Sequence, residues 1–293
     1  MMTSIKEYIE QQKTNHPQLR HASNLMCKLA DKKLTKKQSD ALDQIMPQYQ
    51  KYLKENLDLI GYTDDIIRKR VELLNEYYNF FYENGHDNTF TSQGKFRPTI
   101  LEEFMFLLFK DYINDLKIQY KDKDGVINCG PAKAYTNLHF TSPNFEEFIK
   151  SPEIEINLKD QDFAIYRDFE LEINSKKHSI RIPAVAIENK TYIDKTMLEG
   201  IIATAEKVKN GNPYSKFIVV SENYDVDLSV DPAYSRIDQI YVLRKCKRKE
   251  ALNPFKAEID PDVVIRFFHE VETHIRRAWS NVEYKMRNEG VII

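Results

Sequence analysis

The stretch that most limits what this chain can become is Ile180-Arg181-Ile182-Pro183-Ala184-Val185-Ala186-Ile187, followed at once by Glu188-Asn189-Lys190. A short, mostly apolar run with a proline near its start reads as a buried strand of a central sheet. Side chains alternate along a strand, so Glu188 and Lys190 share one face and Asn189 points to the other. Upstream, Asp162 opens the run Asp162-Phe163-Ala164-Ile165-Tyr166. Phe169-Glu170-Leu171-Glu172-Ile173 then alternates apolar and acidic residues, as a half-buried strand does. Ser175-Lys176-Lys177-His178 reads as a turn. Three strands in a meander return the third close to the first, which brings Asp162 beside Glu188.

A strand that apolar needs a reason for a charged pair at its end. Two carboxylates side by side repel, and a cation relieves them. Oxygen ligands suit a hard ion such as Mg2+, which takes a few carboxylates and completes its shell with waters and a substrate phosphate. A lysine beside them can orient or activate an attacking water and balance charge at phosphorus in the transition state. The residues alone therefore point to metal-dependent phosphodiester hydrolysis, with Asp162 and Glu188 as metal ligands. The bland reading, a solvated salt-bridging strand face, fits the Glu-x-Lys pair alone but not the apolar run before it.

Asp162 followed by Glu188-x-Lys190 at a strand end resembles the core of the PD-(D/E)XK nuclease superfamily, with Gln161 standing where a proline often precedes the aspartate. Three blocks are similar to type II restriction endonucleases: Gly94-Lys95-Phe96-Arg97-Pro98-Thr99-Ile100-Leu101-Glu102-Glu103-Phe104, Lys159-Asp160-Gln161-Asp162-Phe163-Ala164-Ile165, and the segment from Glu188 to Glu199. Within them the resemblance is to the group cutting interrupted, CTNAG-like sites, and it covers roughly residues 94 to 245. It implies an α/β fold with a mixed central β-sheet flanked by helices, a restriction-endonuclease-like core. It implies Mg2+-dependent, site-specific cleavage of double-stranded DNA by a homodimer, or by a heterodimer with a related subunit. It also implies an acid on a helix ahead of the core strands. Leu101-Glu102-Glu103-Phe104 matches that pattern with Glu102, and Glu103 is the alternative. The expected catalytic set is Asp162, Glu188, Lys190 and Glu102. The rivals are a PD-(D/E)XK nuclease of repair or anti-phage type with little sequence preference, and a non-catalytic DNA-binding subunit of a heteromeric nuclease.

The rest of the chain reads as follows. Residues 1–83 carry helical spacing, and residues 1–90 form an expected N-terminal helical domain, a possible grip on DNA, with a polar, turn-rich boundary at residues 83–88; residues 94–293 form the nuclease domain with a last helix begun by Asp260 or Pro261. Thr35 and Thr63 look like helix caps, and Pro47 looks like a punctuation mark. Residues 130–142 mix aromatic and polar residues without a clear period and could be a recognition loop or a surface connection. Two basic clusters, Lys28 to Lys37 and Arg244 to Lys249, could meet DNA phosphates or simply be solvated. The tyrosine stripes read as core. Asp225, Asp227 and Asp231 lack the glycine and terminal glutamate of a calcium loop. Cys27, Cys129 and Cys246 have neither disulfide-framework nor zinc spacing. With only eight glycines and no P-loop or dinucleotide fingerprint, nucleotide-cradling loops are not expected. No signal core and no membrane-length apolar run occurs, so the expectation is a soluble cytoplasmic protein without a membrane partner.

Overall fold

The computed structural model describes residues 2–86, 89–90, 96–173, 176–227, 229–247, 257–277 and 282–290. Five helices come first: α1 (Met2–Asn15), α2 (Arg20–Leu29), α3 (Lys36–Asp58), α4 (Asp64–Glu83) and α5 (Phe96–Gln119). His16-Pro17 separates α1 from α2. Thr35 opens α3 in a capping box with Gln38, and the Thr63 hydroxyl caps α4 by accepting from the Ile66 N–H. Pro47 does not punctuate: α3 runs through it to Asp58. An interior proline costs roughly 3 kcal/mol. Leu42, Ile45, Met46, Tyr49, Tyr52 and Leu53 are all buried along the same helix, each contributing about 1.5–3 kcal/mol, so burial wins. The tyrosine stripes are core, with Tyr49, Tyr52, Tyr77 and Tyr78 all buried.

Five strands follow, β1 (Ile127–Thr141), β2 (Glu153–Ile173), β3 (Lys176–Ile193), β4 (Lys216–Tyr224) and β5 (Gln239–Val242), in the sheet order β1-β2-β3-β4-β5. β1, β2 and β3 pair antiparallel in sequence, whereas β3, β4 and β5 pair parallel. This is the mixed central sheet flanked by helices that the sequence implies. A short helix, α6 (Phe145–Lys150), lies between β1 and β2; α7 (Lys195–Gly211) crosses from β3 to β4; α8 (Pro261–Arg276) follows the sheet. Asp194 caps α7 by accepting from the Met197 N–H, and Asp260 caps α8 with Pro261 in its first turn. Among the described residues no helix is long and apolar enough to cross a membrane.

Two strand expectations change. Asp162 to Tyr166 and Phe169 to Ile173 are one long strand, β2, and Lys176 to His178 already belong to β3; Ser175 lies outside the described residues. The apparent meander is thus a hairpin, and Asp162 meets Glu188 on the adjacent strand. The stretch from Gly130 to Thr141 is not a loop but most of β1. Its period was hidden by register shifts between Gly130 and Ala132 and between Tyr135 and Asn137, where an extra residue breaks the alternation.

One hydrophobic cluster runs from Ile5 and Ile9 through Tyr49, Tyr77 and Leu108 to Phe163, Ile187 and Phe268, so the helical segment and one face of the sheet share a core. The other face is covered by α7, with Leu198, Ile201, Ala205 and Val208 against Ala186, Phe217 and Val219. The helix α5 is buried on nearly every side, between α2 and the sheet. Within it, Glu103 is wholly buried and accepts hydrogen bonds from the Tyr49 hydroxyl at 2.8 Å and the Ala22 N–H at 2.9 Å.

Burial raises the Glu103 pKa from 4.5 to about 7 although those hydrogen bonds pull it down. Between these two values the folded protein keeps a proton that the unfolded chain has lost, so stability falls as pH rises through that window and levels off above it. The shift corresponds to about 3 kcal/mol. Urea unfolding should show this decline from about pH 4.5 to 7, and Glu103→Gln should flatten it, its amide nitrogen donating to Tyr49 and its oxygen accepting from Ala22.

Candidate active site

The site is built on the β2–β3 hairpin. Phe163 pairs with Ile187, and one step further Asp162 faces Glu188. Ala186 lies on the α7 side of the sheet, so by alternation Glu188 and Lys190 emerge on that side as well. The Lys190 ammonium donates to Glu188 Oε1 at 2.6 Å and reaches Asp162 Oδ2 at 3.5 Å. The Asn189 backbone N–H also donates to Asp162 Oδ2, at 2.9 Å. All three side chains are partly covered, with relative exposures of 29% for Asp162, 16% for Glu188 and 27% for Lys190.

The neighbouring strand shapes this corner. Gly130 pairs with Ala164 but Ala132 pairs with Gln161, so Asp162 and Phe163 together face Pro131. Such a bulge bends the strand and re-aims a side chain, and Pro131 has no N–H to donate there. Gly130 has φ of +133°, and a Cβ on it would lie 2.8 Å from the Gln18 side chain, so only glycine fits without displacement.

The electrostatics are unbalanced. Burial, and then the Asp162 charge, push the Glu188 pKa up, while Lys190 pulls it down without cancelling the rise. Burial would lower the Lys190 pKa, but Asp162 and Glu188 outweigh it and the net shift is upward. Lys190 therefore holds its proton, and in this geometry it is a hydrogen-bond donor and counter-charge, not a proton acceptor. Two carboxylates sharing one ammonium leave negative charge that a divalent cation would neutralise. Among the described residues no group of three or more His, Cys, Asp and Glu side chains stands close enough to hold a metal by itself. Asp162 and Glu188 could thus supply part of a shell that water and a phosphate complete, which suits Mg2+.

Glu102 is not gathered into such a cluster with Asp162 and Glu188. It is largely buried on α5 and accepts from Arg20 Nε at 3.4 Å. Glu103 faces Tyr49 and α2 instead. Gly94 and Lys95, at the start of the first flanking block, lie outside the described residues.

Other groups escaped the sequence reading. Glu222 is fully buried and accepts from Arg97 at 2.9 Å, Arg244 at 3.0 Å and the Tyr78 hydroxyl at 3.1 Å. Arg244 was expected to be solvated with the basic run it begins, but it is 6% exposed and tied to this carboxylate, which removes it from any contact with DNA. Lys245 pairs with Asp260, and Arg248 and Lys249 lie outside the described residues. Gln161 and Asn189 are buried with Gln161 Oε1 and both Asn189 amide atoms lacking hydrogen-bond partners. Their only sequence signal was polarity beside Asp162 and Glu188.

The imbalance has a measurable consequence. Asp162→Asn removes the repulsion while its oxygen can still accept from Asn189, and should stabilise the metal-free protein by about 1 kcal/mol. Lys190→Ala leaves the carboxylates uncompensated and should destabilise it by a similar amount. Urea denaturation in EDTA reads both signs.

Among solved structures the chain is similar to the native BbvCI A2B2 tetramer solved at low resolution, with a TM-score of 0.65 and 21% sequence identity over 88% of this chain and 95% of that one. At that identity the likeness concerns the fold. No curated protein matches the chain. The model of the Bpu10I restriction endonuclease family matches residues 93–260. That span contains α5, all five strands, Asp162, Glu188 and Lys190, and it exceeds half of the 293 residues. The chain belongs to the Bpu10I restriction endonuclease family.

Proposed function

We propose that this protein is a type II restriction endonuclease of the PD-(D/E)XK kind, cutting double-stranded DNA at a specific, CTNAG-like interrupted site with Mg2+. The observation that carries the reading is the meeting of Asp162, Glu188 and Lys190 at one corner of the sheet, with Lys190 2.6 Å from Glu188 and 3.5 Å from Asp162. Family membership supports the reaction class.

Asp162 and Glu188 would hold the metal. The ion, when bound, supplies Lewis-acid polarisation of the phosphate and a more acidic water. Lys190, charged and fixed between the carboxylates, would donate to the attacking water or to a non-bridging phosphate oxygen and offset charge that builds up in the transition state. The Asn189 N–H holds Asp162 in place. Glu102, at the end of its link to Arg20, would assist from α5. The helical segment of residues 1–90 would grip DNA, with exposed Lys32, Lys33, Lys36 and Lys37 as backbone contacts.

Cutting both strands in one encounter takes two active sites. The fold relative is an A2B2 tetramer, which favours an assembly of at least two subunits, either a homodimer or a pair of related chains.

Digestion of plasmid with purified protein and Mg2+ tests the reading. Discrete fragments are expected, and none in excess EDTA. A smear would point to a nuclease of low specificity, and uncut DNA to a binding subunit. Lys190→Ala should lower cleavage by orders of magnitude while DNA binding changes little. Lys177→Ala, exposed at the far end of the hairpin, should cut like the wild type.

A further inference from the structure

Beside the active site lies a second polar cleft that the proposed chemistry does not use. It has a volume of about 300 Å3 and is lined by Thr136 and Asn137 of β1, Asn157 and Lys159 of β2, and Lys207 and Asn210 of α7. Its walls are held together closely. A Cβ on Gly211 would come within 2.4 Å of the Thr136 carbonyl oxygen, so the end of α7 is pressed onto β1 as only glycine allows. The Thr136 hydroxyl donates to the Asn157 carbonyl at 3.0 Å, and the Asn157 amide donates to Asn137 Oδ1 at 2.9 Å.

The charge of the cleft is one-sided. No aspartate or glutamate lines it. Nearby lysines are neutralised: Lys209 by Asp238, Lys190 by Glu188, Lys216 by Glu270. Lys159 and Lys207, by contrast, make no ion pair among the described residues. Two ammonium groups converging on a concave site without a counter-charge repel each other, and an anion between them relieves that repulsion. Lysine serves such sites as a point charge, and the asparagine and threonine groups can donate to further oxygens. Lys159 is three residues before Asp162 on the same strand, which places the cleft next to that corner of the sheet. The cleft is therefore within electrostatic reach of the catalytic corner.

We infer that the cleft between the β1–β2 hairpin and the end of α7 binds a backbone phosphodiester of the DNA, flanking the one that is cut, with Lys159 and Lys207 as its charged contacts. This rests on the nuclease reading. The site would hold the register of the duplex, because phosphate contacts position a protein without reading bases. Lys207 would act through binding alone. Lys159 would act in the same way.

The experiment measures the affinity of the full-length protein for a linear duplex as a function of KCl, with calcium in place of magnesium. Wild type is compared with Lys207→Gln, Lys207→Arg, the Lys159→Gln/Lys207→Gln pair and, as a control, exposed Lys176→Gln. For one phosphate contact the slope of log K against log[salt] should become shallower by about 1 in the paired variant. Lys207→Arg should keep the wild-type slope, and so should Lys176→Gln. Single-turnover cleavage in magnesium at saturating protein should be unchanged in Lys176→Gln. If the wild type binds and cuts DNA but the paired variant keeps its slope and affinity, the subsite is wrong and the nuclease reading stands. If the wild type neither binds nor cuts, both fall.

Discussion

Two carboxylates that face each other across adjacent strands, with one ammonium group between them, set the terms for what surrounds them. The Asp162 charge and burial both push the Glu188 pKa up, and Lys190 offsets this only in part. The backbone is arranged to keep them together anyway. The antiparallel register fixes the pair, the bulge opposite Pro131 falls at Asp162 and Phe163, and the Asn189 N–H anchors Asp162. Nearby, Gln161 and Asn189 leave buried amide atoms without partners. Buried unpaired polar groups and like charges both reduce stability, so this corner gives up stability that the rest of the fold must provide.

The compensation comes from the opposite face of the sheet. There the helical segment and the sheet share one core, and buried ionic junctions join them. Glu222 of β4 ties Tyr78 of α4 and Arg97 of α5 to Arg244 beyond β5. Arg70 of α4 satisfies the carbonyls of Asn56 and Leu59 at the end of α3 while pairing with Asp111 of α5. Replacing one member of such a junction strands a charge in the core and costs about 3–5 kcal/mol. These carboxylates differ from Asp162 and Glu188 in one respect that matters: each has a full complement of cations or donors. The Glu222 pKa is accordingly lowered, with Arg97 and Arg244 overcoming the cost of burial, whereas that of Glu188 is raised. The contrast is between a carboxylate held by two guanidinium groups and one that shares a single ammonium with a neighbouring carboxylate.

Much of this was legible in the sequence, and the parts that were not share a cause. The Glu188-x-Lys190 strand end and the caps at Thr35, Thr63 and Asp260 depend on local pattern, and local pattern is what a sequence displays. β1 was hidden because register shifts broke its alternation. The helix α3 continued past Pro47 because tertiary burial overrode a local breaker. Arg244 resembled its basic neighbours until Glu222, 22 residues away, was brought against it. The hairpin that joins Asp162 to Glu188 was mistaken for a meander because Phe169 to Ile173 alternates like a separate strand, although it is the far half of β2.

The role proposed for Asp162 and Glu188 is to hold the metal that supports DNA cleavage. It is tested most directly by counting bound Mn2+, from the loss of its free-ion paramagnetic resonance signal, in complexes with a non-hydrolysable duplex. The wild type should take up Mn2+ in the presence of DNA, and the Asp162→Asn/Glu188→Gln protein should bind the same DNA without it. Equal uptake by the two proteins would place the metal elsewhere and contradict the account.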